Sequence, residues 1–209
     1  MIIRTVRALR RHGHLLSAAA LLAGPLACAT KHVSRIDPAS VTDLSGRWND
    51  TDSRLVANQL IEESLSGTWK QQYTTAHAGQ APSVIVGSFS NRSYEHIPVE
   101  TFVHDLERAY VNSNAVRLVA GADERQDVRA ERKDQQQNAR SETRSQIGQE
   151  QGAKYMLQGE IQSIEDGEGR EKVVYYQIDA TLVDLESNVK VWAGQHKIKK
   201  YIERKRFGV

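Results

Sequence analysis

The chain opens on an unbroken apolar run, residues 15–22 (LLSAAALL), set behind Arg4, Arg7, Arg10 and Arg11. Periodic patterns follow. Leu55, Val56, Leu60, Ile61 and Leu65 recur at helical spacing. Asp50, Thr51 and Asp52 ahead of them suit a helix N-terminus and its dipole, and Gly67 is a natural stop. Residues 69–82 are polar and are expected to form a loop. Residues 83–89 (SVIVGSF) are a compact β-branched run, which predicts a buried strand. Ser90-Asn91-Arg92-Ser93 follows as a loop. Residues 99–110 predict a second amphipathic helix, with Phe102, Val103, Leu106, Ala109 and Tyr110 inward, and residues 116–119 a short strand. Such a β-α-β unit is right-handed and parallel.

Residues 121–151 break the rhythm. They are dense in Asp, Glu, Arg and Gln, and their apolar residues are sparse: Val128, Ala130, Ala139 and Ile147. The expectation is a solvated pair of helices, broken near Asn138 and stopped by Gly152. Strand signals return at 155–164, anchored by Met156, Leu157 and Ile161. Residues 165–169 (EDGEG) turn the chain. In residues 172–184, Val174, Tyr176, Ile178, Ala180 and Leu182 alternate onto one face. Ser187-Asn188 turns the chain again into a last strand at 189–197, where Val189, Val191 and Ala193 oppose Lys190 and Trp192. A basic tail, 199–209, is expected to fray in solvent. The sum is an α+β fold: a mixed β-sheet of about five strands, a β-α-β unit followed by an antiparallel three-strand meander, flanked by helices and preceded by an N-terminal helix.

The first run acquires a meaning from Cys28, the chain's one cysteine. A positive start, a short apolar stretch and small residues (Pro25-Leu26-Ala27) ahead of a thiol form an export signal with a lipidation site. The run is too short to span a bilayer, which takes about 20 apolar residues. A lone cysteine forms no intramolecular disulfide, and acylation would remove its free thiol from an oxidising compartment. The expected organisation is a signal peptide at 1–27, a lipid anchor and short tether at 28–49, and a single globular domain at 50–209. Ala29 after the cysteine, where Asp is absent, points to the outer membrane by resemblance to sorted bacterial lipoproteins. The 209 residues carry a formal net charge of +2, with 39% hydrophobic and 26% charged residues. This is a globular composition. Its near-neutral middle argues against a nucleic-acid partner.

Catalytic signatures are missing: there is no Gly-x-Ser-x-Gly elbow, Walker loop, His-Glu-x-x-His or Cys-x-x-Cys. His77, His96, His104 and His196 are far apart and are expected at the surface. Residues 165–169 are too short for a calcium loop and lack its distal Glu. No cofactor and no metal site is expected. The one pair singled out for contact is Asn91-Arg92, placed just after a buried strand where loop residues meet partners. Arg92 is suited to clamp a partner's carboxylate. The alternative is that Asn91 closes the turn and Arg92 caps a helix.

Val41-Thr42-Asp43-Leu44-Ser45-Gly46-Arg47-Trp48-Asn49-Asp50-Thr51-Asp52 resembles a segment of the lipoprotein activators of class A penicillin-binding proteins, the LpoB type. Further matches are residues 84–92 (VIVGSFSNR), 152–161 (GAKYMLQGEI) and 191–194 (VWAG). The resemblance runs from about residue 33 to residue 199. It implies a sheet flanked by helices and an outer-membrane lipoprotein facing the periplasm. It also implies a non-catalytic activator that binds a bifunctional peptidoglycan synthase and stimulates it by population shift. Of the contact residues it carries over only the matched Asn91 and Arg92. A second reading is a structural subunit of an envelope secretion or assembly complex related to the curli-secretion channel. That reading needs membrane-spanning hairpins, and none is apparent in the sequence.

Overall fold

A computed structural model describes residues 32–204; Cys28, the signal and the end of the basic tail lie outside them. All the helices and strands described below lie within the unit Ala39–Val209. Helix α1 is Asp50–Ser66, α2 Thr68–Ala76, α3 Val99–Ser113 and α4 Ala122–Asn138. Strands β1 (Ser83–Arg92), β2 (Arg117–Leu118), β3 (Tyr155–Glu168), β4 (Glu171–Asp184) and β5 (Lys190–Glu203) make one sheet in the order β2-β1-β3-β4-β5. β1 runs parallel to β2 and β3, and β3, β4 and β5 are antiparallel neighbours. The α+β class and the β-α-β unit followed by a meander are as the patterns predict.

α1 packs on α3 and β5, and α3 packs on β1 and β2, so both helices cover one face of the sheet. The core between them holds Val56, Leu60, Phe102, Leu106, Tyr110, Leu157, Ile161 and the alternating β4 residues Val174, Tyr176, Ile178, Ala180 and Leu182. Each large side chain fully buried here contributes about 1.5–3 kcal/mol. α1 starts at Asp50, at the head of its acidic cluster, and the residue before it is the cap. Asn49 is the N-cap, accepting from Asp52 N at 3.1 Å, while Asp52 Oδ2 accepts from Asn49 N at 3.0 Å. This is a reciprocal capping box.

Five segments differ from the sequence expectation. Residues 69–82 are not all loop, because α2 restarts directly after Gly67. Trp69 drives this: it is buried, donates from Nε1 to Ser64 O at 2.6 Å and stands edge-on to Tyr155. β1 continues through Arg92, so Asn91 and Arg92 are strand residues and the loop starts at Ser93. The charged stretch holds one helix, α4. The rest returns without regular structure, pinned to α4 by polar side chains such as Gln136, which donates to Ser145 O at 2.6 Å. β3 runs on to Glu168, and the turn shrinks to Gly169-Arg170. β5 runs to Glu203, far into the basic tail, because Ile198 and Ile202 pack against the core. In β5 the covered side takes Trp192 and Ile198, and Ala193 is exposed. The Trp192 ring lies across Gly194, where any Cβ would collide with it.

Candidate partner-docking face

Among the described residues the other face of the sheet carries no helix, and the strand registers make it a lattice. Glu160 of β3 lies between Ser90 of β1 and Asp179 of β4, and Asp179 lies beside Gln195 of β5. One row along come Arg92, Gln162, Gln177 and Lys197. These positions alternate with the buried Leu157, Ile161, Ile178 and Ala180, so each faces away from the core.

Two carboxylates directly opposite each other on neighbouring strands repel, which destabilises a sheet. Here each is held by its own donors. Arg92 Nε reaches Glu160 Oε2 at 2.9 Å, and Gln162 Nε2 donates to Glu160 Oε1 at 2.5 Å. Gln177 Nε2 and Gln195 Nε2 donate to the two oxygens of Asp179 at 2.8 and 2.7 Å. Arg92 stays 69% exposed while holding Glu160, so most of its guanidinium still faces solvent. A shallow depression of about 380 Å³ beside the acids is lined by Ser88, Gln158, Thr181 and Lys190 as well as the two carboxylates. Beyond the polar centre the face turns apolar: Ile164 is 65% exposed beside Tyr175, and Tyr201 is 60% exposed beside Val173. Tyr201 donates to Glu171 Oε1 at 2.6 Å, and that carboxylate pushes the phenol up to about 12.

Asn91, next to Arg92, has different work. Its Nδ2 donates to Glu95 O at 2.7 Å and its Oδ1 accepts from Ser93 N and Oγ, which closes the loop after β1. The closed loop aims the Glu95 carboxylate. Glu95 Oε1 accepts from Tyr176 OH at 2.8 Å and Oε2 from Trp48 N at 3.1 Å. Burial, then the Glu95 carboxylate, push the Tyr176 phenol far above its usual range. Trp48 meets Phe102 and Tyr176 edge to face. Just before it, Gly46 holds φ +71 against Ile202, a conformation and a space that glycine alone fits. Lys200 Nζ completes the strap, reaching Asp52 at 2.6 Å, Asp43 at 2.8 Å and Arg47 O at 3.1 Å. Residues 43–49, the strongest stretch of the resemblance, are therefore docked on the domain.

The structure thus separates the predicted pair, both in β1: Arg92 is on the open face, and Asn91 turns its side chain the other way, onto the loop that follows. Cys28 lies outside the described residues. Sequence reading passed over Glu160, Asp179, Tyr175 and Tyr201. Their signal was available for β3 and β4, as the polar positions between alternating core residues. Among the described residues no cluster of His, Cys, Asp and Glu fits a metal ion, and no helix is long and apolar enough to cross a membrane.

The described residues thus make a two-layer α+β domain, with one sheet face covered by helices and the other bare of them. The chain belongs to the family of the peptidoglycan-synthase activator LpoB, whose model matches residues 52–198. Members of this family are non-catalytic activators. Among solved structures, the chain is similar to the LpoB C-terminal domain from Escherichia coli. That domain is 16% identical, with 71% of this chain and 99% of that one covered and a TM-score of 0.42. The corresponding domain from Salmonella enterica is 17% identical over 71% and 99%, with a TM-score of 0.39. The E. coli LpoB NMR structure is 14% identical over 96% of both chains, with a TM-score of 0.40. No curated protein matches the sequence. The family assignment rests on the family match alone.

Proposed function

We propose that this protein is a lipid-anchored activator, held to the outer membrane through Cys28 and facing the periplasm. It docks on a bifunctional class A penicillin-binding protein through the open face of its sheet. The observation that carries the docking face is the opposed pair Glu160 and Asp179, kept at the centre of a bare sheet despite their repulsion. A partner supplying cations to that centre and an apolar side chain to Ile164, Tyr175 and Tyr201 would bury the kind of cluster that dominates binding energy. Arg92 contributes the solvent-facing part of its guanidinium at the rim. Asn91 acts through the loop, holding Glu95 and with it the end of β1. Activation then follows if the synthase's active conformation binds this face more tightly than its inactive one.

The test is a pull-down from solubilised envelopes with the domain from Lys31 onward, paired with glycan polymerisation in vitro. Recovery of a class A synthase and faster polymerisation are expected, and Arg92→Glu should weaken both by about tenfold or more. Recovery of no synthase, together with no effect on polymerisation, would sink the proposal.

A further inference from the structure

Away from the open face, α4 is covered only by the polar return segment that follows it. None of its residues is buried, and Val128 is 49% exposed. Its charges are sorted by sign. Arg125, Arg129 and Arg132 follow one side, and Asp123, Asp127 and Glu131 follow the other. No oppositely charged pair sits three or four residues apart, while Arg125–Arg129, Arg129–Arg132 and Asp127–Glu131 are like-signed neighbours. Such pairs destabilise an isolated helix. What holds the basic side in place is Glu150, bound by Arg129 at 2.8 and 2.9 Å and by Arg132 at 2.8 Å. These two arginines pull the Glu150 carboxyl down to about 2.

That arrangement leaves arginine in excess. A cleft of about 420 Å³ between α4 and β2 is lined by Leu118, Val119 and Val128, by Arg117 and Arg125, and by Glu150, already held by its two arginines. Among the described residues neither Arg117 nor Arg125 has a carboxylate partner, and Arg125 Nε is buried without a hydrogen bond. β2 is also an edge strand. Arg117 N and Val119 N donate to Pro82 O and Val84 O, both at 2.8 Å, so the intervening Leu118 N–H points outward. An open strand edge recruits an extended chain, an apolar floor takes its alternate side chains, and surplus arginine takes its acids.

We propose that the cleft between β2 and α4 is a second interaction site, distinct from the open face, that binds an extended acidic segment of a protein partner. The segment adds along the β2 edge and places carboxylates on Arg117 and Arg125. The occupant is an extended peptide rather than a helix because the β2 edge offers a backbone donor, which a helix, its own backbone groups paired, cannot use.

The experiment uses the full chain in nonionic detergent and a fluorescein-labelled peptide, Glu-Val-Glu-Val-Glu, with Lys-Val-Lys-Val-Lys as control. Saturable rise of anisotropy is expected for the acidic peptide only. The affinity should weaken as salt is raised, and fall at least tenfold in Arg117→Gln/Arg125→Gln and in Val128→Asp. Far-ultraviolet circular dichroism verifies that each variant is folded. Absence of saturable binding, equal binding of the basic peptide, or full binding by the folded double variant overturns the proposal. So does sedimentation showing dimers that the double variant loses, because a second copy of the chain would then be the occupant.

Discussion

Glu95 joins three parts of the chain that are distant in sequence. Its two oxygens serve Trp48 of the strap and Tyr176 of β4, and Asn91 fixes its backbone. Hydrogen bonds to charged groups contribute about 1.5–3 kcal/mol. Tyr176→Phe should therefore lower unfolding free energy by about 2 kcal/mol in urea titrations, with little loss from packing because the ring remains. A change within the error of the measurement would mean that water replaces the phenol. The same buried phenols set the alkaline limit. Burial raises Tyr110 to about 12 and raises Tyr176 further, so the folded state favours their neutral forms. Each contributes stability that is fully present below its ordinary value of 10.0 and is lost as pH rises through the folded value. Ultraviolet titration should show their phenolates appearing only together with loss of circular dichroism above about pH 12. Early ionisation with the fold intact would contradict the burial.

Among the elements, β4 and α3 were the most legible, and for one reason: each buries a long, regular stripe. The alternation from Val174 to Leu182 and the spacing of Phe102, Leu106 and Tyr110 leave no competing period. α2 was illegible because a single buried residue, Trp69, holds it, and one residue has no period. The end of β5 was masked by composition. Lys197 and Lys199 drew attention to charge, while Ile198, Lys200 and Ile202 continued the alternation beneath it. Of the candidate site, Arg92 was legible from its neighbourhood. The opposed acids were legible only as outward polar positions, because their pairing across β3 and β4 depends on register. Lys200 shows what the buried side of that tail does. Its side chain is 11% exposed against 9% for Asp52 and 49% for Asp43. Removing the cation strands Asp52 in a nearly dry place, whereas Asp43 can turn to water. Lys200→Met should thus destabilise the domain by about 2–4 kcal/mol, and Asp43→Asn by less than about 1 kcal/mol. Thermal or urea unfolding of the two variants checks the order, and equal losses would place the strap's energy elsewhere.

At the scale of the whole molecule, the strap limits how far the proposed anchor lets the domain travel. Lys200 holds Asp43, so the span back to Cys28 is no more than about 15 residues, and at ~3.4 Å each it reaches at most ~50 Å. With Cys28 as the proposed anchor, the packed strap gives a shorter maximum reach than the predicted helix start at Asp50 implies. A partner's docking domain must come to within that distance of the anchoring membrane. Replacing Cys28 with Ser should release the protein from membranes; continued binding would end the lipid-anchor proposal. With the anchor intact, a Gly/Ser insert of about 20 residues between Lys31 and Pro38 lengthens the leash without touching the strap. If the partner already stands within reach, the longer leash only dilutes the domain around it. Crosslinking to the synthase in the native envelope should then stay level or fall a few-fold. A clear rise would mean that the natural leash is too short, and that the synthase bound through the open sheet face is out of reach from the membrane assigned here.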